Sequence, residues 1–204
     1  AASPDSKYIL TLNDDVALTR SSLRKLVTTA ESLSTPLSAV NATSPCDRGL
    51  TCFLDFAVLK DGTRYVLQEQ NYRIEDCEHI LPEMLTAESQ YPWGLIMQPH
   101  LCMYATLISR ALYEKIGGFD EGFLGGPDDI DFSWRATEAG AILMMDLSAV
   151  IWHFGSVTIT SSYPPRRWLR NIDYFRSKWG KLPPFVTPSH YEANRKAAEV
   201  NHAE

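Results

Sequence analysis

Tyr8-Ile9-Leu10-Thr11-Leu12-Asn13-Asp14-Asp15 is the stretch on which the fold turns, a short apolar run that stops abruptly at three polar residues. A strand covered on both faces reads as continuous apolar sequence, and polar residues mark where the cover ends, so this segment predicts a buried strand delivering side chains to a sheet edge. A helix is predicted next. Leu23, Leu26, Val27, Ala30 and Leu33 recur at steps of three and four, with Thr19 or Ser21 as the cap and Pro36 beyond the end. Val40 begins the following strand, and the alternation points to an α/β fold.

Further along, apolar runs at 53–59 and 65–67 flank Lys60-Asp61-Gly62-Thr63, and Asp-Gly between such runs signals a hairpin. An apolar stretch from Cys102 to Ile108 leads to Ser109 as the cap of a short helix through Ile116, closed by Gly117 in the left-handed conformation. Pro127 suits the first turn of a helix and Gly140 its stop, so 128–139 form a helix whose opening turn carries Asp128, Asp129 and Asp131. Arg135 lies four residues after Asp131 and can pair with it. Ala141 to Met145 and Ala149 to Trp152 read as two strands, and a helix with Trp168, Ile172 and Phe175 runs to Gly180. Ser189 and Glu192 form a capping box for a polar C-terminal helix with little apolar surface. Residues 1–182 thus read as one folded region and 183–204 as a tail.

The 204 residues carry a net charge of -6, which argues against a nucleic-acid partner, since tracking phosphates takes a basic stripe. No apolar stretch approaches the roughly 20 residues that span a bilayer. Cys46, Cys52, Cys77 and Cys102 show no paired spacing, and reduced thiols in a cytoplasmic protein, at most peripheral to a membrane, are the expectation.

Three polar clusters sit where strands end or a helix begins: Asn13-Asp14-Asp15, Asp128-Asp129-Ile130-Asp131, and His153 after Val150-Ile151-Trp152. Ligands gather at such ends in α/β sheets. Carboxylates with one imidazole suit Mn²⁺ or Mg²⁺, and the lack of a thiolate pattern argues against structural zinc. Each cluster also has a plain reading: a side-chain-stabilised turn, acidic residues favoured at a helix N-terminus, and a packed histidine.

In order and surroundings the clusters resemble the family 2 glycosyltransferases, and more loosely the galactosyltransferases with a Gly-Gly-Glu-Asp-type motif. The resemblance covers roughly Tyr8 to Gly180. Leu12-Asn13-Asp14-Asp15 is similar to that family's form of the Asp-x-Asp metal motif, with Asn13 in place of the first aspartate. Gly117-Gly118-Phe119-Asp120-Glu121 is similar to the segment under the acceptor site. Asp128-Asp129-Ile130-Asp131 with Arg135 and Gly140 resembles the segment carrying the catalytic base, with Asp128 where glutamate is usual. Trp152-His153-Phe154 resembles the metal-ligand histidine segment, and Lys178-Trp179-Gly180 the family's tail.

The resemblance implies a partial GT-A fold, a mixed β-sheet flanked by helices, and an inverting, metal-assisted transfer from a nucleoside diphosphate sugar to a hydroxyl of a carbohydrate acceptor. It implies Asp15 and His153, with Asp14, as ligands of a divalent cation, which stabilises the departing diphosphate. Coordination needs the neutral imidazole and so weakens on acidification. Asp129 takes the role of general base. Asn13, Asp14, Arg166 and Arg167 fall to the donor, with Arg170 beside them, since arginine forks match phosphate oxygens; for the arginines, a solvated basic helix face competes. Trp93, Gly118, Phe119, Asp120, Asp128 and Asp131 fall to the acceptor, with His100 near; for the aromatics, buried packing competes. The implied fold opens with a nucleoside-binding β-α-β-α-β half ahead of the Tyr8 strand, and no glycine-rich phosphate loop replaces it here. The expectation is therefore a missing N-terminal half, supplied by a longer protein or a partner chain. Two rivals stand: a non-catalytic carbohydrate- or partner-binding remnant, and a metal-dependent phosphoesterase using the same carboxylates.

Overall fold

The computed structural model describes residues 3, 5–44, 56–58, 64–66, 94–153 and 165–200. Strand β1 (Tyr8–Leu12) and the two-residue β2 (Val16–Ala17) precede helix α1 (Arg20–Ser32) and strand β3 (Ser38–Thr43). Two short strands, β4 (Phe56–Val58) and β5 (Arg64–Val66), pair antiparallel where Asp61-Gly62 predicts a hairpin, although the turn itself lies outside the described residues. Then come β6 (Leu95–Met97), β7 (Ala105–Ser109), α2 (Arg110–Ile116), α3 (Asp128–Glu138), β8 (Ile142–Val150), β9 (Trp152–His153), α4 (Pro165–Trp179) and α5 (Pro188–Val200).

Five strands form one mixed sheet in the order β1-β7-β3-β8-β6. Only the β3–β8 pair is parallel; β7 runs antiparallel to both β1 and β3, and β6 antiparallel to β8. Every residue of β3 and β7 is buried, as central strands with helices on both faces require. Alternation then sorts the side chains. Val40 and Leu107 face Leu26 and Ala30 of α1, while Ala39 and Ile108 face Leu112 of α2 and Phe132 and Ala136 of α3. The polar residues that break the apolar pattern of β3 are satisfied internally: the Asn41 amide donates to the Cys102 carbonyl at 2.8 Å and to Thr106 Oγ1 at 2.9 Å.

Local signals set the helix ends. Of the two candidate caps for α1, Thr19 takes the role: its hydroxyl accepts from Ser22 N at 3.0 Å, and Ser22 Oγ accepts from Thr19 N at 3.1 Å. Ser109 caps α2, whose end is closed by Gly117 at φ 76, the left-handed region that glycine enters without a Cβ clash.

Three expectations need correction. The two strands read from 141–152 are one strand, Ile142–Val150, followed by the separate β9. Thr187, not Ser189, caps the last helix, because α5 begins at Pro188 and Thr187 Oγ1 accepts from His190 N at 3.2 Å. That helix also carries apolar surface: Tyr191 and Ala198 pack with Leu169, Ile172 and Val186, which docks α5 on α4. Among the described residues no helix is long and apolar enough to cross a membrane. Cys46, Cys52 and Cys77 lie outside the described residues.

Candidate active site

Strands β2 and β9 form a two-stranded ribbon beyond the main sheet, with Val16 opposite His153. This pairing places Asp15, the residue before β2, against the imidazole that closes β9. Asp15 Oδ1 lies 3.2 Å from His153 Nε2, and the side chains are only 6% and 12% exposed. The Asn13 amide reaches the same Nε2 at 3.3 Å. Behind the ring, Tyr104 stacks on His153 at 4.9 Å and 20°, and Ser44 Oγ accepts from His153 N at 3.0 Å. Tyr104 is itself held by its hydroxyl, which donates to the Ala42 carbonyl at 2.8 Å, and by its carbonyl, which accepts from Asn13 N at 3.0 Å. Neither Tyr104 nor Ser44 announces this role in sequence: each reads as strand material, and only the fold brings it to the ring.

Asp14 is exposed, and among the described residues no group of three His, Cys, Asp or Glu side chains comes together. Among the described residues, the side chains that come together here are Asp15 and His153, with Asn13 as a neutral third. Two donors 3.2 Å apart fit neighbouring corners of an octahedral ion, whose ligands at about 2.1 Å stand roughly 3 Å from one another. Mg²⁺-like ions commonly take one or two protein ligands and complete their shell with phosphate and water.

The second cluster opens α3. Asp129 Oδ1 accepts from Ile130 N at 2.7 Å, and burial, with the Asp128 carboxylate next in effect, raises its carboxyl to about 7. Asp128 is raised as well, by burial first and then by the charge of Asp131. Segment 98–104 ties this cluster to the first. Ser133 Oγ donates to the Asp129 carbonyl at 2.8 Å and accepts from Leu101 N at 2.9 Å, while Tyr104 of the same segment stacks on His153. His100 of that segment is buried, which pushes its imidazole below the ordinary range.

Several residues assigned to the acceptor have other work. Asp131 is fully buried, with Arg135 Nε at 2.8 Å on Oδ2, and Lys178 Nζ at 2.8 Å and Trp179 Nε1 at 2.9 Å on Oδ1. It is a hub joining α3 to α4, not a surface for an acceptor. Arg135 extends the hub by donating to the Ile116 and Gly118 carbonyls, each at 2.8 Å. Gly118 is buried at φ 73, where a Cβ would meet the Tyr113 ring at 2.8 Å, and Phe119 packs on Phe132 at 4.7 Å. Both shape the turn that precedes Asp120. Asp120 accepts from Lys178 Nζ at 2.6 Å, from the Tyr174 hydroxyl and from Gly122 N, and the Lys178 bond leads the effects that lower its carboxyl. Asp131→Ala strips three donors of their buried acceptor, so a loss of about 3–5 kcal/mol is expected in urea unfolding; a loss below about 1 kcal/mol would show that the hub contributes little.

Among the donor assignments, Arg166 and Arg167 stand exposed in the first turn of α4. Arg167 Nε donates to the Leu124 carbonyl at 2.9 Å, and Asn171 Oδ1 accepts from Leu124 N at 2.9 Å, so α4 is fastened to the turn that leads into Asp128. Trp93 lies outside the described residues.

No family model matches the chain, and no curated protein does. Among solved structures it is similar to "Crystal structure of GalNAc-T7 with UDP, GalNAc and Mn2+", at 11% identity and a TM-score of 0.47. That likeness covers 94% of this chain but only 38% of the other.

Proposed function

We propose that the protein transfers a sugar from a nucleoside diphosphate sugar to a hydroxyl of a carbohydrate acceptor, with inversion at the anomeric carbon and with Mn²⁺ or Mg²⁺ at Asp15 and His153. The observation that carries this reading is the 3.2 Å approach of Asp15 to His153 beyond the end of β1, with Asn13 alongside. A cation held there would neutralise charge on the leaving diphosphate. Tyr104 and Ser44 keep the imidazole in place, and the Asn13 amide is near enough to hold its ring nitrogen or to turn toward donor oxygens. Arg166 and Arg167 would steer the diphosphate by charge.

Asp129 would accept the acceptor's hydroxyl proton. A carboxyl near 7 suits that task, because it is basic enough to draw a proton and still partly ionised at neutral pH. Asp128 stands beside it to receive an acceptor hydroxyl. The fastening of α3 to segment 98–104 through Ser133 fixes the base relative to His153, and holding reactants in register is a large part of the rate of a bimolecular transfer.

One observation favours a second reading: with two charged or imidazole ligands and no third among the described residues, the same cluster also suits a carbohydrate- or partner-binding module without turnover. Nucleoside diphosphate release separates the two. With Mn²⁺ and a panel of nucleotide sugars, release should rise several-fold when carbohydrate acceptors are added. No release under any combination would leave the binding module, and cleavage of a simple aryl phosphate without sugar nucleotide would point to a phosphoesterase.

A further inference from the structure

A groove of about 770 Å³ lies along the edge strand β6, between the start of β8 and the C-terminal ends of α3 and α4. Its lining includes Met97, Gln98, Trp134, Glu138, Trp179 and Lys181, none of which belongs to the site described above. Three features single it out. Met97 is 71% exposed, a large apolar side chain left in water. Trp134 and Trp179 meet edge to face at 5.1 Å, with Lys181 Nζ 4.1 Å from the Trp134 ring centroid. Gln98 is only 4% exposed, yet among the described residues its amide nitrogen finds no acceptor.

That last feature points to a ligand. A buried amide without an acceptor is a standing cost, since it has given up water and gained no partner. Its backbone is fixed, with Gln98 N donating to the Leu143 carbonyl at 2.9 Å, so the side chain is held at the groove. An oxygen-bearing occupant would relieve it. The aromatic and thioether surfaces want an apolar face, and the charged lining, one carboxylate and one ammonium, sums to zero. A neutral molecule with flat C–H faces and hydroxyl edges meets all these demands together. A purely apolar peptide would leave Gln98, Glu138 and Lys181 unmatched, and an acidic or basic chain would meet a like charge. The volume is in the range of extended small-molecule sites, ~300–1,000 Å³, so several rings fit better than one.

We propose that this groove is a second carbohydrate-binding site, taking a neutral oligosaccharide independently of cation and nucleotide. It does not rest on sugar transfer at Asp129. The walls are preformed: Trp179 Nε1 donates to Asp131 at 2.9 Å, and Thr137 Oγ1 donates to the Ser133 carbonyl at 2.9 Å. The groove would therefore bind without rearrangement.

The test titrates cello-, xylo-, manno- and chitohexaose into the metal-free, nucleotide-free protein, read by tryptophan emission and by calorimetry. At least one should saturate, and Gln98→Leu should weaken it by tenfold or more, because leucine fills the space but returns no hydrogen bond. Trp134→Phe should diminish the emission change, leaving only the share reported by Trp179. Lys181→Ala, at an exposed position that tolerates truncation, should weaken binding several-fold and keeps the test decisive if the buried variants misfold. Asp15→Ala should leave hexasaccharide binding intact even where it destroys cation-linked nucleotide binding, so the two readings fail separately. Lack of saturation with all four sugars, equal affinity in Gln98→Leu and Lys181→Ala, or tighter binding of an apolar peptide would overturn the proposal.

Discussion

Asp129→Asn is expected to lower turnover by 10²- to 10⁴-fold while leaving donor binding unchanged, the span usual for loss of a general base. The amide keeps the size and the Oδ1 acceptor that Ile130 N uses, so the helix start should survive. The same change should make the protein more stable at alkaline pH. Burial holds the Asp129 carboxyl at about 7, far above the roughly 4 of an unfolded chain. The native state therefore keeps its proton longer, and between about pH 4 and 7 it binds more protons than the unfolded state. Stability contributed by this group is complete below pH 4 and is lost as pH rises through 7. The full shift corresponds to roughly 4 kcal/mol as an upper figure, and the partial exposure of Asp129 reduces the expected gain to about 1–2 kcal/mol. Two measurements check this: turnover of the parent should climb through pH 7, and its urea midpoint should fall more steeply over that interval than that of Asp129→Asn, in which Asp128 is left to titrate. A variant that loses activity but keeps the parent's pH-dependent stability would place the titrating group elsewhere.

The second large effect concerns the cation. In the parent, Mn²⁺ with the correct nucleoside diphosphate at a hundred times its dissociation constant should stabilise the fold by about 2.7 kcal/mol. In a chain of this size that corresponds to a rise of roughly 5–10 °C in Tm. Asp15→Ala and His153→Ala should each remove the rise almost entirely, because each takes away one of two charged or imidazole ligands. Asp14→Ala should keep most of it, since Asp14 is exposed and completes no cluster with them. A shift that survives in Asp15→Ala and His153→Ala, or vanishes only in Asp14→Ala, would relocate the site.

Helices α1, α2 and α3 were legible because their signals are local. Thr19, Ser109 and Gly117 act on backbone groups within three or four residues, and the 3.6 period of Leu26 and Ala30 is visible in the chain itself. The sheet was less so. That β3 runs parallel to β8 but antiparallel to β7 depends on partners about 105 and about 65 residues away respectively, which no window of sequence displays. Buried polar residues are opaque for a related reason: nothing near Asn41 in the chain shows that the Cys102 carbonyl and Thr106 hydroxyl satisfy its amide inside the sheet. At the site, the contact of Asp15 with His153 follows the order of motifs. The reassignment of Asp131 does not, because an aspartate in a first helical turn looks the same whether it faces solvent or three buried donors.

Strand β8 pairs with β3 in step until Ala42 meets Asp146, and then Thr43 meets Val150, so residues 147–149 have no counterpart across the ladder. Asp146 secures this slack by accepting from Ser148 N and Oγ and from Thr29 Oγ1. The stretch after it is as buried as the stretch before, with Leu147, Ala149 and Ile151 in the core, and it ends in the imidazole. Because the slip lies between Asp146 and His153, the aim of the imidazole is coupled to packing: Leu147 joins Met145, and Ala149 joins the cluster of Leu26 and Ala30, so a change in residues 147–149 is felt on both sides.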